Sequence, residues 1–322
     1  MSMEASWQDL AAGAAVLDLD PDGRPVRPLL LLDLDRLGPP PNDLRPSSTP
    51  GAVVVGVTEG DPPATALPYL TCWVAPGEVD DLVGTVGVAP VAATTLAGLL
   101  GTGATSTPAA LVAESLAYSA LQGGAEFRDW LAGTTATGSA DTDDPVLVER
   151  TGQVLTITLN RPARHNAYSA AMRDALRDAL AVARADPELR VELRGAGPSF
   201  CSGGDLAEFG RATDPAVAHL VRVTTGAARS LDLLRPRTRV VLHGACVGAG
   251  IELAAFAGRV EADDDAWFHL PEVGMGLVPG AGGTASIPAR VGRWRTAQLA
   301  LTRRRLDLGT ALAWGLVDAP AR

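Results

Sequence analysis

Hydrophobic and polar positions follow two regimes along the chain. Near the start, the runs "RPLLLLDLD" and "AVVVGVT" are short and apolar, which predicts buried strands. After them, "PAALVAESLAYSALQGGAEFRDWLA" carries Leu111, Ser115, Leu116, Tyr118 and Leu121 at spacings that suit a helix. From Leu131 to Pro145, "LAGTTATGSADTDDP" is small, polar and turn-rich with no periodic face, the composition of a linker. Beyond it, strand and helix patterns repeat. "VLTITLN" alternates as a strand, and Ser169 stands where an N-cap belongs. The following helix places Met172, Leu176, Leu180 and Ala183 on one face, with Pro187 past its end. "RVELRG" predicts a further strand, and "AGPSFCSGGDLAEFG" a glycine turn running into a helix. "TRVVLHGACVGAGIELAAFAG" reads as strand, glycine turn and helix again, and "AWFHLPEVGMGLVPGAGGTASIPARVG" is a third round that includes Glu272. The predicted organisation is a small α/β domain over 1–131, a linker over 132–145 and a larger α/β domain over 146–322.

Composition narrows the partners. With 322 residues and 47% hydrophobic content, the chain can bury a substantial core. Its net charge of -10 is uneven: 5 Arg face 16 acids up to Ala140, and 22 Arg face 21 acids from Asp141 onward. A general nucleic-acid binder would instead show a basic stripe, so nucleic acid is not an expected partner. All 27 Lys or Arg residues are arginine, which excludes lysine Schiff-base or general-base chemistry. Cys72, Cys201 and Cys246 are too few and too scattered for a disulfide framework or a zinc site. The Asp33–Asp35 and Asp80–Asp81 pairs are expected at strand ends and in solvated loops, without metal. "MSMEASWQDL" lacks a basic-then-apolar signal and no apolar run approaches a bilayer span, so a cytoplasmic protein with no membrane partner is expected.

The chemistry concentrates in "HGACVGAGIEL", His243 to Leu253. Its Gly244, Gly248 and Gly250 do not have dinucleotide-binding spacing, and a phosphate loop needs a lysine that this chain lacks. Two glycine turns, "CSGGDL" and "VGAGIEL", are each expected to open a helix and present free N–H groups. If the turns converge, one N–H from each would hold a single developing oxyanion. Glu252 falls in an apolar segment, where an unpaired acid is costly, so it too is a candidate.

Five motifs in order, "LTITLNRPARHNAYS", "PSFCSGGDL", "VVLHGACVGAGIELAAFAG", "FHLPEVGMGLVPGAGGT" and "ALAWGLVD", resemble the enoyl-CoA hydratase/isomerase (crotonase) superfamily over roughly Val146 to Asp318. The resemblance implies a crotonase-like ββα spiral core preceded by the smaller α/β domain. It places the catalytic carboxylates on Glu252 and Glu272, and the oxyanion-hole N–H groups on Ser202 and Ala249. Arg164 and His165 fall where the family's turn holds coenzyme A, with Gly203, Asp205 and Gly248 as further substrate contacts. The implied activity is hydration of an enoyl-CoA, or dehydration of a 3-hydroxyacyl-CoA, as in fatty acid metabolism. No metal or separate cofactor is needed, because coenzyme A is part of the substrate. A trimer-based homo-oligomer is the implied assembly.

Two departures keep alternatives open. Only Ala319 to Arg322 follow "GLVD", where the family continues into helices that cover the acyl site, so the first domain is expected to offer a replacement wall. That domain is also similar to the N-terminal extension of the cofactor-free dioxygenase branch acting on arylacetyl-CoA. Isomerase, hydrolase, decarboxylase and cofactor-free dioxygenase are therefore alternative reactions, and a non-catalytic acyl-CoA-binding protein is an alternative class. The cluster Arg290, Arg293, Arg295, Arg303, Arg304 and Arg305 has three readings: a solvated face, pairing with the acidic first domain, or steering of CoA phosphates.

Overall fold

The computed structural model describes residues 2–45, 51–135 and 144–321. The middle of the expected linker, 136–143, lies outside the described residues. The first half contains strands β1 (Ser2–Glu4), β2 (Leu29–Asp33), β3 (Val53–Val57) and β4 (Cys72–Val74), and helices α1 (Trp7–Ala11), α2 (Leu34–Leu37), α3 (Val79–Val88), α4 (Pro90–Gly101), α5 (Thr107–Gln122) and α6 (Ala125–Ala132). Its strands form a parallel sheet in the order β1-β2-β3-β4. The apolar runs do not alternate because both sheet faces are covered. Leu29, Val53 and Val55 join the main core, whereas Leu30, Leu32 and Val54 pack with Trp7 and Leu70 on the other side.

The second half contains β5 (Val146–Thr151), β6 (Val154–Leu159), α7 (Ala170–Ala185), β7 (Arg190–Gly195), α8 (Pro215–Thr225), α9 (Ala228–Leu234), β8 (Thr238–Leu242), β9 (Ala245–Val247), α10 (Ala249–Ala254), β10 (Arg259–Ala262), β11 (Trp267–His269), α11 (Gly283–Thr302), β12 (Leu306–Asp307), α12 (Leu308–Trp314) and β13 (Ala319–Pro320). Six strands form the main sheet, β13-β10-β8-β7-β6-β5, parallel except for the β5–β6 hairpin. A small sheet, β12-β11-β9, stands beside it. In β6 the buried residues are Leu155, Ile157 and Leu159, as the alternation predicts. Ser169 caps α7 by accepting from the Met172 N–H at 3.2 Å, and Met172, Leu176, Leu180 and Ala183 are all buried.

Two local expectations are corrected. The stretch predicted as one strand before "VGAGIEL" is two, β8 and β9, because the chain turns at Gly244 with φ 53 and changes sheets. "CSGGDL" opens no α-helix: Asp205 caps a single 3₁₀ turn, Leu206–Glu208, after which Phe209 is extended. The next α-helix, α8, starts at Pro215.

A continuous core unites both halves, and α11 packs against β4, α3, α4 and α5. Arg295 lies between Trp73 and Trp314, at 4.8 and 4.6 Å from the ring centroids, and pairs with Asp61 at 3.2 Å. Arg304 pairs with Glu78 at 3.0 Å. These two members of the arginine cluster therefore join the acidic first half. Arg290 instead pairs with Asp318, and Arg305 covers Trp267. Among the described residues, no single helix is long and apolar enough to cross a membrane.

Candidate active site

The site is built where β9 and β11 end side by side. Gly248 leaves β9 with φ 47 and donates its N–H to the His269 carbonyl at 2.9 Å. Ala249 begins α10, so its N–H is one of the donors that a helix cannot satisfy internally. One turn on, Glu252 is buried, and its Oε2 accepts from the N–H groups of Ala281 at 2.7 Å and Gly283 at 2.9 Å. Glu272 comes from the 3₁₀ turn after β11, and its Oε1 stands where a Cβ on Gly248 would be. Glycine is thus required at 248 by both dihedral and contact. The other oxygen of Glu272 is buried without a hydrogen-bond partner.

Glu252, Glu272 and Ala249 line one cavity of about 610 Å³; Ser202 does not. The Ser202 N–H is already given to the His165 carbonyl at 2.9 Å. This corrects the expected pair of donors: Gly204, two residues on, lines the cavity instead. The reason is strand alternation. Tyr168 donates to the Gly203 carbonyl and accepts from the Asp205 N–H, in a parallel bridge with Gly204. The N–H of Gly204 therefore points away from Tyr168, and among the described residues it has no partner. Gly203, with φ 98, packs against the Val247 carbonyl, so the two glycine segments do converge.

The turn expected to hold coenzyme A lies outside the lining of this cavity. Neither Arg164 nor His165 lines the cavity. His165 has φ 50 and its Nδ1 is 2.9 Å from Ser199 Oγ, while Asn166 stitches the same turn to Arg161, Ala196 and Ser199. Asp205 is buried between Arg161 at 2.8 Å and Arg164 at 2.9 Å and also accepts the Ala207 N–H. Hydrogen bonds from these arginines and the Ala207 N–H outweigh burial and hold its carboxyl below the usual range. Its oxygens are committed to this framework, although the residue borders the cavity.

The sequence reading missed Glu114. This residue of α5, 2% exposed, enters the cavity from the first half of the chain. Its Oε1 accepts from the Gly282 N–H at 2.7 Å, and its Oε2 from the Thr284 N–H and Oγ1 at 2.8 and 2.7 Å. Four successive amides, 281 to 284, are therefore taken alternately by Glu252 and Glu114. A signal was present, since Glu114 is the single acid in an otherwise uncharged helix. Leu111, Val112 and Tyr118 of α5 add apolar and aromatic wall to the cavity, so the first half does supply a wall.

Burial raises the proton affinity of all three acids. Glu272 is pushed to about 8, chiefly by desolvation and secondarily by Glu114. Glu114 is pushed to about 7, with its hydrogen bonds opposing the effect of burial. Glu252 is raised well above 4.5 by desolvation and then by its two acidic neighbours, against the two amides that it accepts. So close a group cannot carry three full charges near neutrality. The cavity thus combines N–H donors, apolar wall and carboxyl groups able to hold or release protons.

The family model that describes enoyl-CoA hydratase/isomerase matches residues 149–320. A carnitinyl-CoA dehydratase of Proteus mirabilis is 33% identical over 169 residues, covering 52% of this chain and 64% of the relative. A mevalonyl-coenzyme A hydratase of Beauveria bassiana is 34% identical over 174 residues, covering 51% of this chain and 62% of the relative. Each match thus spans less than two thirds of the curated relative. Among solved structures, an enoyl-CoA hydratase from Thermoplasma volcanium aligns at a TM-score of 0.50 with 32% identity, over 56% of this chain and 72% of that one. All these matches cover little more than half of the present chain.

Proposed function

Given that the chain belongs to the enoyl-CoA hydratase/isomerase family, we propose that it hydrates an enoyl-CoA or, in reverse, dehydrates a 3-hydroxyacyl-CoA. The observation that carries this reading is the meeting of Glu252 and Glu272 in one cavity with the Ala249 N–H. A thioester oxygen held by the N–H groups of Ala249 and Gly204 draws electron density from the conjugated double bond. The β-carbon becomes electrophilic and charge accumulates on the enolate oxygen, where fixed donors are worth roughly 3–4 kcal/mol each. Glu252 takes a proton from water as the oxygen bonds to the β-carbon, the two amides that it accepts from favouring its charged form against the burial and acidic neighbours that raise it. Glu272, with an oxygen lacking a donor, carries the proton and delivers it to the α-carbon.

The test is spectroscopic. With short and medium enoyl-CoA esters, absorbance of the conjugated thioester is expected to fall, and Glu272→Gln is expected to slow this by about 10²–10⁴-fold. No turnover with any ester, or an unchanged rate in Glu272→Gln, removes the reading. The free oxygen on Glu272 favours one second reading, isomerisation, in which a single carboxyl moves a proton between two carbons. A β,γ-enoyl-CoA converted to its α,β isomer faster than the latter is hydrated would select it.

A further inference from the structure

Arg222 of α8 lines the same cavity as Glu252 and Glu272, and the proposed reaction gives it no task. Its guanidinium is held by neutral acceptors. Nε donates to Ser115 Oγ at 3.2 Å and Nη1 to Gln122 Oε1 at 3.4 Å, while Nη2 donates to Ser119 Oγ. These acceptors follow one another at i, i+4 and i+7 on α5, forming a polar stripe on one helix face. Arg222 Cζ also lies 4.5 Å from the Tyr118 ring centroid, and the Tyr118 ring packs against Gly280, beside the turn that the two glutamates share. Tyr118 therefore separates the guanidinium from the acids.

The buried Arg161 has Asp205 and Arg290 has Asp318, whereas Arg237 and Arg293, which also lack an acid, are held by backbone carbonyls outside the cavity. Among the described residues, no carboxylate stands at ion-pair distance from Arg222. Glu114 is close enough for its field to matter, but its oxygens are committed to Gly282 and Thr284. Half-burial works against the charge of Arg222, and the nearby wall is largely apolar, including Leu111, Val217 and Val221. A guanidinium has five N–H donors, and three contacts leave capacity for another acceptor. An acyl chain ending in methyl would bury this cation further with nothing to answer it.

We propose that the acyl group bears an oxygen acceptor, carboxylate or hydroxyl, remote from the thioester, and that Arg222 receives it with Ser115, Ser119, Gln122 and Tyr118 fixing the guanidinium plane. The proposal rests on the acyl-thioester reading above. Protons held by the buried acids favour it, since they limit the negative charge that an incoming oxygen meets.

The experiment uses the full chain and enoyl-CoA esters of one length that end in methyl, hydroxyl or carboxylate. At least one oxygen-ended ester is expected to exceed the methyl ester in kcat/KM by about tenfold, equivalent to ~1.4 kcal/mol. In Arg222→Met that ratio is expected to approach one, whereas Arg222→Lys keeps part of it for a carboxylate. The preferred arm identifies the source of the oxygen. No preference in the wild type overturns the proposal, as does a ratio that survives Arg222→Met. If Arg222→Met does not fold, the wild-type ratio and the lysine variant decide. If no ester turns over, the hydration reading has failed, and calorimetry with saturated esters bearing the same three ends decides the Arg222 proposal separately. Tighter binding of an oxygen-ended ester that is lost in the variant supports it, and equal binding overturns it.

Discussion

Glu252 is buried, Glu272 is half-buried with one oxygen enclosed and Glu114 is buried, and the three also differ in what surrounds them. Two amides support the first, the second has an oxygen with no donor, and three donors support the third. A reaction that needs one ionised and one protonated acid then gives a bell-shaped pH profile. Its alkaline limb is expected near the raised Glu272 value of about 8, and Glu272→Gln should remove that limb from the residual rate. Gly248→Ala places a methyl at φ 47 and against Glu272 Oε1, so activity is expected to fall by at least about tenfold. Steady-state kinetics on the folded variant checks this. Glu252 was legible in the sequence because a lone acid in an apolar helix demands a partner. Glu114 meets the same criterion, but its partners lie 168 and 170 residues away and no motif marks them.

At the scale of elements, the glycine segments were legible as turns but not in their direction. Strand, turn and helix order in "VGAGIEL" fixes the Ala249 N–H, because a helix start always leaves its first amides free. "CSGGDL" has no such helix, and the direction of each amide depends on pairing with Tyr168, a tertiary contact that spacing alone does not encode. The contact between α5 and the start of α11 is equally non-local. Glu114→Ala leaves the Gly282 and Thr284 amides without their acceptor, at a cost of about 1–3 kcal/mol for each buried group. Thermal denaturation is expected to show that loss, and hydrogen exchange should show faster exchange at Gly282 and Thr284. Activity is expected to fall with it, since Glu252 holds the alternate amides of the same turn.

Over the whole molecule, charge and burial bind the halves together. The sequence showed an acidic first half and a balanced second, and the pairs Asp61–Arg295 and Glu78–Arg304 are where that asymmetry is used. Residues 144–322 alone would uncover the α11 surface that packs on β4, α3, α4 and α5. Such a fragment is expected to aggregate or bind hydrophobic dyes, as light scattering and dye fluorescence would show. Stability should also depend on pH in a definite direction. Glu114 and Glu272 have raised values, so the folded chain retains protons that the unfolded chain has released. Their contribution is fully present below the ordinary value of 4.5 and is lost as pH climbs through about 7 and about 8. Asp205, with its lowered value, acts oppositely and loses its contribution as the solution becomes strongly acidic. Melting temperature should therefore decline from mildly acidic to mildly alkaline solution, less steeply when Glu272 is glutamine.

The alternation of amides 281 to 284 between Glu252 and Glu114 also bears on inheritance. A lineage that lost Glu114 would have to rebuild the start of α11, and one that altered Thr284 would disturb a helix encoded far upstream. Recombination between the two halves would separate a carboxylate from its donors. Descendants should therefore keep or change Glu114 and Thr284 together, and chimaeras joined within 136–143 should work only when the two parents carry a matching pair at these positions.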